Sequence, residues 1–313
     1  MLLRNSGKIQ IDAITMVIGN HWPRQGAEYL ARVLKATGRS DIPIYIGADQ
    51  PLRNTHARMD ALEKGLIRKG MLNSSDGLWK GAYSRAKEVK TQDEVVPAEG
   101  ESLSGILPQT RNAVDFIVEK LMSSPDDSMT FAAIGPLTNL ARAIKKEPAI
   151  TRKIHRLLFM GGNVDVPGNT TPYAELNVLF DPEATEAVFE SDIREKVIFP
   201  LDLSDQMRMN QTQFAELTAE KNPITSMLNA DQGPEFKNPK FQLQAWDTTV
   251  AAYLIDPSYV TESRDLALRV VEDLGPRYGS IRKSGGTQMI RVMTKMDTGR
   301  FFSILKRNLG EAR

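Results

Sequence analysis

The sequence predicts one α/β domain over residues 1–313, built on a mostly parallel, Rossmann-like sheet flanked by helices. Two observations carry that expectation. Short β-branched runs alternate with stretches whose apolar residues recur at helical spacing, and the strand candidates are near-continuously apolar, as strands covered on both faces are. The composition agrees: 41% hydrophobic and 25% charged residues is the balance of a globular protein.

In chain order, IDAITMVIGN reads as a strand, and PRQGAEYLARVLKATGR follows it with helical periodicity and a proline at its start. IPIYIGA is the next strand. Residues 51 to 105 are polar with poor periodicity, including LNSSDGLWKG and KTQDEVVPAEGESLSG, and read as a functional loop or an insertion. MTFAAIGPLTN then leads into the helical LARAIKKEPAITRKI, and HRLLFMGG is a further strand. KVIFPLDLS precedes a helical stretch near Gln211 to Asn229. Past Tyr259, LALRVV and QMIRVMTKMD form a strand pair, and FFSILKRNLG closes the chain as a helix.

Several chemistries are excluded. The chain has no cysteine, so it has neither disulfides nor thiolate metal sites nor a cysteine nucleophile. Forty basic and thirty-nine acidic residues, without a block of one sign, give no sign of a nucleic-acid backbone or an anionic membrane as partner. No apolar run approaches the ~18 residues of a membrane span. No GxGxxG, GxxxxGK[ST], HExxH or GxSxG occurs, and His21, His56 and His155 lack metal-ligand spacing. MLLRNSGKIQ is too short in apolar residues for a signal peptide. The expected compartment is the cytoplasm, with loss of a targeting segment from the start as the alternative.

In open α/β sheets, ligands bind where the carboxyl ends of the strands run into loops. The polar groups expected there are Asn20, the Ile134-Gly135 turn with Thr138 and Asn139, the Gly161 to Asn177 loop, and Asp202. Within GNTTPYAELN, Asn169, Glu175 and Asn177 bring amides and a carboxylate onto one short connection. Such groups hold several hydroxyls at once and suit a polyol beside a hard cation. The plainer reading is that the asparagines cap turns and Glu175 is solvated.

GPLTNLARAI, LLFMGG, GNTTPYAELNVLFDPEA and WDTTVAAYLIDP, in this order and with ITMVIGN before them, resemble the nucleoside N-ribohydrolases, the inosine-uridine preferring group and its relatives. The resemblance covers nearly the whole chain. It implies the nucleoside hydrolase fold and a Ca²⁺-dependent cleavage of the bond between ribose and a nucleobase, releasing ribose and free base. It also implies a homodimer or homotetramer. By the resemblance Asn169 and Glu175 grip the ribose 5′-hydroxyl, Asn177 the lower hydroxyls, and Asn20 lines the ribose pocket. Asp247 is a calcium ligand, and Ile134 gives calcium its backbone carbonyl. Many members carry histidine as leaving-group acid where this chain has Trp246. A purine stacked between Trp246 and Trp79 is the substitute expected here, against core packing for Trp246 and a loop anchor for Trp79.

The family opens with a strand and a D-x-D-x-x-x-D-D motif that supplies calcium ligands and the general base. MLLRNSGKIQIDAITMVIGN aligns inside the helix that follows this motif, so roughly twenty residues, including a central strand, are expected to be missing. Asp41, Asp49 and Asp60 lack the motif's spacing. The expectations are therefore an active hydrolase in a longer form, little activity and weak or absent Ca²⁺ in this chain, or a non-catalytic nucleoside-binding or structural relative.

Overall fold

The computed structural model describes residues 1–5, 7–72, 82 and 104–310. Strands β1 (Ile14–Met16) and β2 (Ile44–Ile46) flank helix α1 (Pro23–Ala36), and α2 (His56–Arg68) follows. Next come α3 (Ala113–Met122), β3 (Met129–Ala133), α4 (Thr138–Lys146), β4 (Ile154–Met160), α5 (Leu176–Phe180), α6 (Pro182–Glu190) and β5 (Glu195–Phe199). α7 (Leu201–Ser204), β6 (Arg208–Met209), α8 (Gln211–Leu217), α9 (Pro223–Gln232), β7 (Leu243–Gln244) and α10 (Thr248–Ile255) lead to β8 (Val260–Val270), β9 (Ile281–Lys283), β10 (Met289–Met296) and α11 (Thr298–Leu305). Among the described residues, no helix is long and apolar enough to cross a membrane.

The main sheet has the order β3-β4-β5-β10-β8-β9. β3, β4, β5 and β10 run parallel, while β8 is antiparallel to β10 and to β9. Alternation along β4 explains its double burial. Leu157 and Phe159 join the apolar layer under α3, α4 and α6, and Leu158 and Met160 join the layer under α7, α8, α10 and α11. β5 divides in the same way, with Ile198 on one side and Val197 and Phe199 on the other.

Three expectations need correction. Residues 51–105 are not irregular throughout, because Thr55 accepts a hydrogen bond from Arg58 N and starts α2. The stretch 211–229 is not one helix: Asn222, with Pro223 behind it, opens α9 through a capping box with Thr225. Burial on both faces also fails at β3, where Thr130 and Ala132 are exposed.

The reason for that exposure lies in the topology. β1 and β2 form a separate two-stranded parallel sheet, and β1 makes no ladder with β3. A side chain joins the two sheets instead. Asn139 at the start of α4 donates from Nδ2 to Met16 O at 2.8 Å and accepts at Oδ1 from Ala48 N at 2.8 Å. The carboxyl ends of β1 and β3 also touch, since a Cβ on Gly19 would lie 3.4 Å from Pro136 Cδ.

Candidate functional site

The site grows from the end of β4. Gly162 has φ of 80°, a left-handed conformation natural to glycine. The turn aims its N–H at Glu175 Oε2, 2.8 Å away, while its carbonyl accepts from Leu201 N at 2.9 Å. Glu175 is 2% exposed and occupies the cap position of α5. Its carboxylate also accepts from Asn177 N at 2.9 Å and Val178 N at 3.2 Å. Burial pushes this carboxyl above its ordinary range, and the backbone donors pull against that rise. An ionised carboxylate has about four acceptor places, and backbone N–H groups take up most of them.

Asn169 and Asn177 are held beside it. Asn169 Oδ1 accepts from Leu176 N at 3.0 Å and from Thr170 Oγ1 at 3.1 Å. Asn177 donates from Nδ2 to Met160 O at 3.0 Å, tying α5 back to the end of β4. The asparagines do organise turns. Glu175, however, is buried rather than solvated.

Asp247 stands immediately before α10. The residue is open to water, yet protein surrounds its carboxylate closely. That crowding, and behind it the negative charge of Glu175, raises the Asp247 carboxyl from its ordinary range. The two carboxylates therefore sense one another.

Asn20 is exposed at the end of β1, and Ile134 is 56% exposed at the end of β3. Val17 and Ile18, just before Asn20, pack in one cluster with Ala174, Leu176 and Leu179, which brings the end of β1 against α5. Trp246 is half-buried against the layer under α10 and donates from Nε1 to Asp205 Oδ1 at 2.7 Å. Trp79, with Asn73 and Ser74, lies outside the described residues.

Further residues shape the site: Asp202 and Asn163 fall among the groups expected at the strand ends, whereas Asp181 was not singled out from the sequence. Asp202 accepts from Val164 N at 2.8 Å and Asp165 N at 2.7 Å, one to each oxygen. Asn163 donates to Val166 O at 2.8 Å and Tyr173 O at 3.3 Å across the same loop. Asp181 is fully buried and accepts from Thr138 Oγ1 at 2.6 Å, Leu52 N at 2.9 Å and Ala184 N at 3.2 Å. Asp181 left a signal of another kind: aspartate followed by proline is a helix start.

A calcium ion takes about six to eight oxygen ligands. Among the described residues no group of three or more acidic or histidine side chains converges. Glu175 spends most of its acceptor capacity on backbone N–H groups, so Asp247 stands with little help. The described residues do not fit a tight calcium site, and no chemical step is routed through one here.

The fold and the placing of these groups define a class: an open α/β protein whose site is made of amides and carboxylates at the carboxyl ends of parallel strands. Comparison with known proteins narrows it. The sequence profile of the inosine-uridine preferring nucleoside hydrolases matches residues 1–303, and the chain belongs to that family. It is 31% identical over 223 residues to the pyrimidine-specific ribonucleoside hydrolase RihA of Citrobacter koseri, a match over 71% of this chain and 62% of that protein. The chain thus spans just under two-thirds of that relative's length. The inosine-uridine preferring nucleoside hydrolase of Crithidia fasciculata is 26% identical over 97% of this chain and 90% of its own length. The purine-preferring ribonucleoside hydrolase of Gardnerella vaginalis shares the fold, with a TM-score of 0.75 at 19% identity over 98% of this chain and 93% of that one.

Proposed function

We propose that this protein binds ribonucleosides through the ribose and acts on their N-glycosidic bond, with turnover held low because the described residues place neither a free base nor a tight calcium site. The observation that carries the reading is the convergence of Glu175, Asn169 and Asn177 with Asp247 at the carboxyl ends of the strands. The Glu175 carboxylate and the amides of Asn169 and Asn177 suit the hydroxyls of a ribose. Asn20 and the Ile134 carbonyl, at neighbouring strand ends, complete the proposed pocket.

Departure of the base leaves an oxocarbenium-like sugar, so an active site must stabilise positive charge and deprotonate a water. Glu175 and Asp247 supply negative charge. Neither is placed as a free base: Glu175 is committed to backbone donors, and Asp247 is the residue the family resemblance assigns to the metal. Calcium is the cofactor that the family resemblance implies for this chemistry. Within this chain we expect it to be held weakly, through Asp247 and Ile134. Trp246 favours a purine as the base, by offering a stacking face.

The test is a titration of the chain with inosine and with ribose, followed by assay of reducing sugar, with and without calcium. Saturable binding with negligible turnover is the expected result. Absence of ribose and nucleoside binding would remove the reading, and rapid turnover would remove the claim of weak activity.

A further inference from the structure

A polar cleft of about 310 Å³ lies where the first residues of the chain meet the end of α10 and the turn after α11, lined by Asn5, Lys8, Ile255, Asp256, Arg307 and Asn308. Asp247 precedes α10 and Asp256 follows it, so eight residues of helix, roughly 12 Å, separate this cleft from the candidate site. Its volume is at the small end of ligand pockets.

The floor of the cleft is a pair of buried amides. Asn5 and Asn308 are 9% and 1% exposed. Asn5 Nδ2 donates to Met1 O at 2.9 Å and to Asn308 Oδ1 at 2.8 Å, and Asn308 Nδ2 donates to Ile304 O at 2.7 Å. Asn5 O accepts from Lys8 N at 2.9 Å, which fixes the root of the lysine. Arg307 and Asn308 stand on a π-helical turn, Lys306–Gly310, a rare form that recurs at functional sites.

The groups left over have complementary characters. Both amide hydrogens of Asn5 are spent, and among the described residues its Oδ1 has no donor and is not sealed from solvent, so it opens into the cleft. Lys8 and Arg307 are exposed, and among the described residues neither forms an ion pair or a side-chain hydrogen bond. Asp256 gives Oδ1 to Ser258 N and Ser258 Oγ, and its Oδ2 lies 3.9 Å from Arg300. Two cations without counter-ions attract a dianion, and the planar fork of an arginine suits a phosphate. Asn5 Oδ1 and the Asp256 carboxylate only accept, so they repel a bare anion and call for hydroxyl donors. A phosphate that also carries hydroxyls satisfies all four groups. Neither half does so alone.

We propose that this cleft is a binding site for a small polyol phosphate monoester, with the phosphate between Lys8 and Arg307 and the hydroxyls on Asn5 Oδ1 and Asp256. It stands independently of the nucleoside reading.

The test is calorimetry of the chain with glycerol 3-phosphate, set against inorganic phosphate and against glycerol. Glycerol 3-phosphate is expected to saturate and to bind about threefold or more tighter than inorganic phosphate, with glycerol giving no measurable binding. Arg307→Gln and Lys8→Gln should each weaken it about threefold or more. Lys8 is exposed and bonds through its backbone alone, so its variant keeps the test decisive if Arg307→Gln folds badly. Saturating inosine should leave the affinity unchanged. Absence of binding, inorganic phosphate as tight as glycerol 3-phosphate, or full affinity in both variants would overturn the proposal. Displacement by inosine would overturn it as well, by moving the ligand into the nucleoside pocket, and would leave the nucleoside reading standing.

Discussion

The Glu175 carboxylate accepts the backbone N–H of Gly162 at 2.8 Å across thirteen residues of chain. That bond closes the loop between β4 and α5 on itself, and the group that closes it is also the group proposed to hold ribose. Structure and binding are thus loaded onto one side chain. Asp202 grips Val164 N and Asp165 N from the other side, so the loop is clamped at both shoulders.

Glu175→Gln tests that double duty. With its amide oxygen toward Gly162 and Val178, its amide nitrogen must face Asn177 N, donor against donor. One lost bond and one unsatisfied buried donor cost about 1–3 kcal/mol, trimmed because the amide no longer buries a charge. Urea denaturation should show a modest loss of stability, and calorimetry a loss of ribose affinity of about tenfold or more. A variant as stable as wild type with unchanged affinity would dismiss both roles.

Gly279→Ala tests how the far side of α5 is set. Gly279 has φ of 77° and a hydrogen bond from its N–H to Val271 O at 2.8 Å, and an added Cβ would lie 2.8 Å from Leu179 Cα. Left-handed strain costs alanine about 1–2 kcal/mol, and a clash with helix backbone has no flexible atom to yield. A total loss near 2–4 kcal/mol is expected in thermal or urea unfolding. Because Leu179 and Asn177 share α5, nucleoside binding should weaken alongside. A loss below about 0.5 kcal/mol would show that the β8–β9 turn does not brace this helix.

Calcium gives a third outcome. A ligand stabilises the fold by RT ln(1 + [L]/Kd), so a site with Kd above the calcium concentration contributes less than about 0.4 kcal/mol. In a millimolar calcium titration the melting temperature of this chain should move by less than about 1 °C. A rise of several degrees, abolished in Asp247→Asn, would show that residues of this chain assemble a real calcium site around Asp247.

The sequence made strands and their direction legible where burial was continuous, as in HRLLFMGG and KVIFPLDLS, and the parallel pairs β3–β4 and β4–β5 follow it. It did not reveal the break between β1 and β3, because apolar runs such as ITMVI report a tendency to bury and not which strand lies alongside. In the site, Glu175 and its asparagines stood out because they are neighbours in the chain. Asp205 and Trp246 are 41 positions apart, and nothing in either local pattern announces the bond. Asn163 lay within the Gly161 to Asn177 loop expected at the strand ends, but its bonds were not legible, because they go to backbone carbonyls, which any sequence offers.

Asp181 supplies a pH dependence whose sign can be worked out. The side chain is fully buried, and burial, opposed by its bond from Thr138, pushes the carboxyl up to about 6 from an ordinary value of 3.8. A group whose folded pKa is raised contributes stability that is fully present below the unfolded value and is lost as pH rises through the folded value. The window therefore runs from about pH 4 to about pH 6, and the difference corresponds to about 3 kcal/mol at its full extent. Burial also raises the carboxyls of Glu175 and Glu186 and lowers the His21 imidazole, so the measurement must be a difference. Asp181→Asn keeps an acceptor for Thr138 and Leu52 and cannot ionise. Wild type should exceed this variant in stability most at about pH 4 and lose that margin progressively toward pH 7. A margin that stays flat, or widens as pH rises, would mean that Asp181 is ionised in the fold at no cost, with its three donors outweighing its burial.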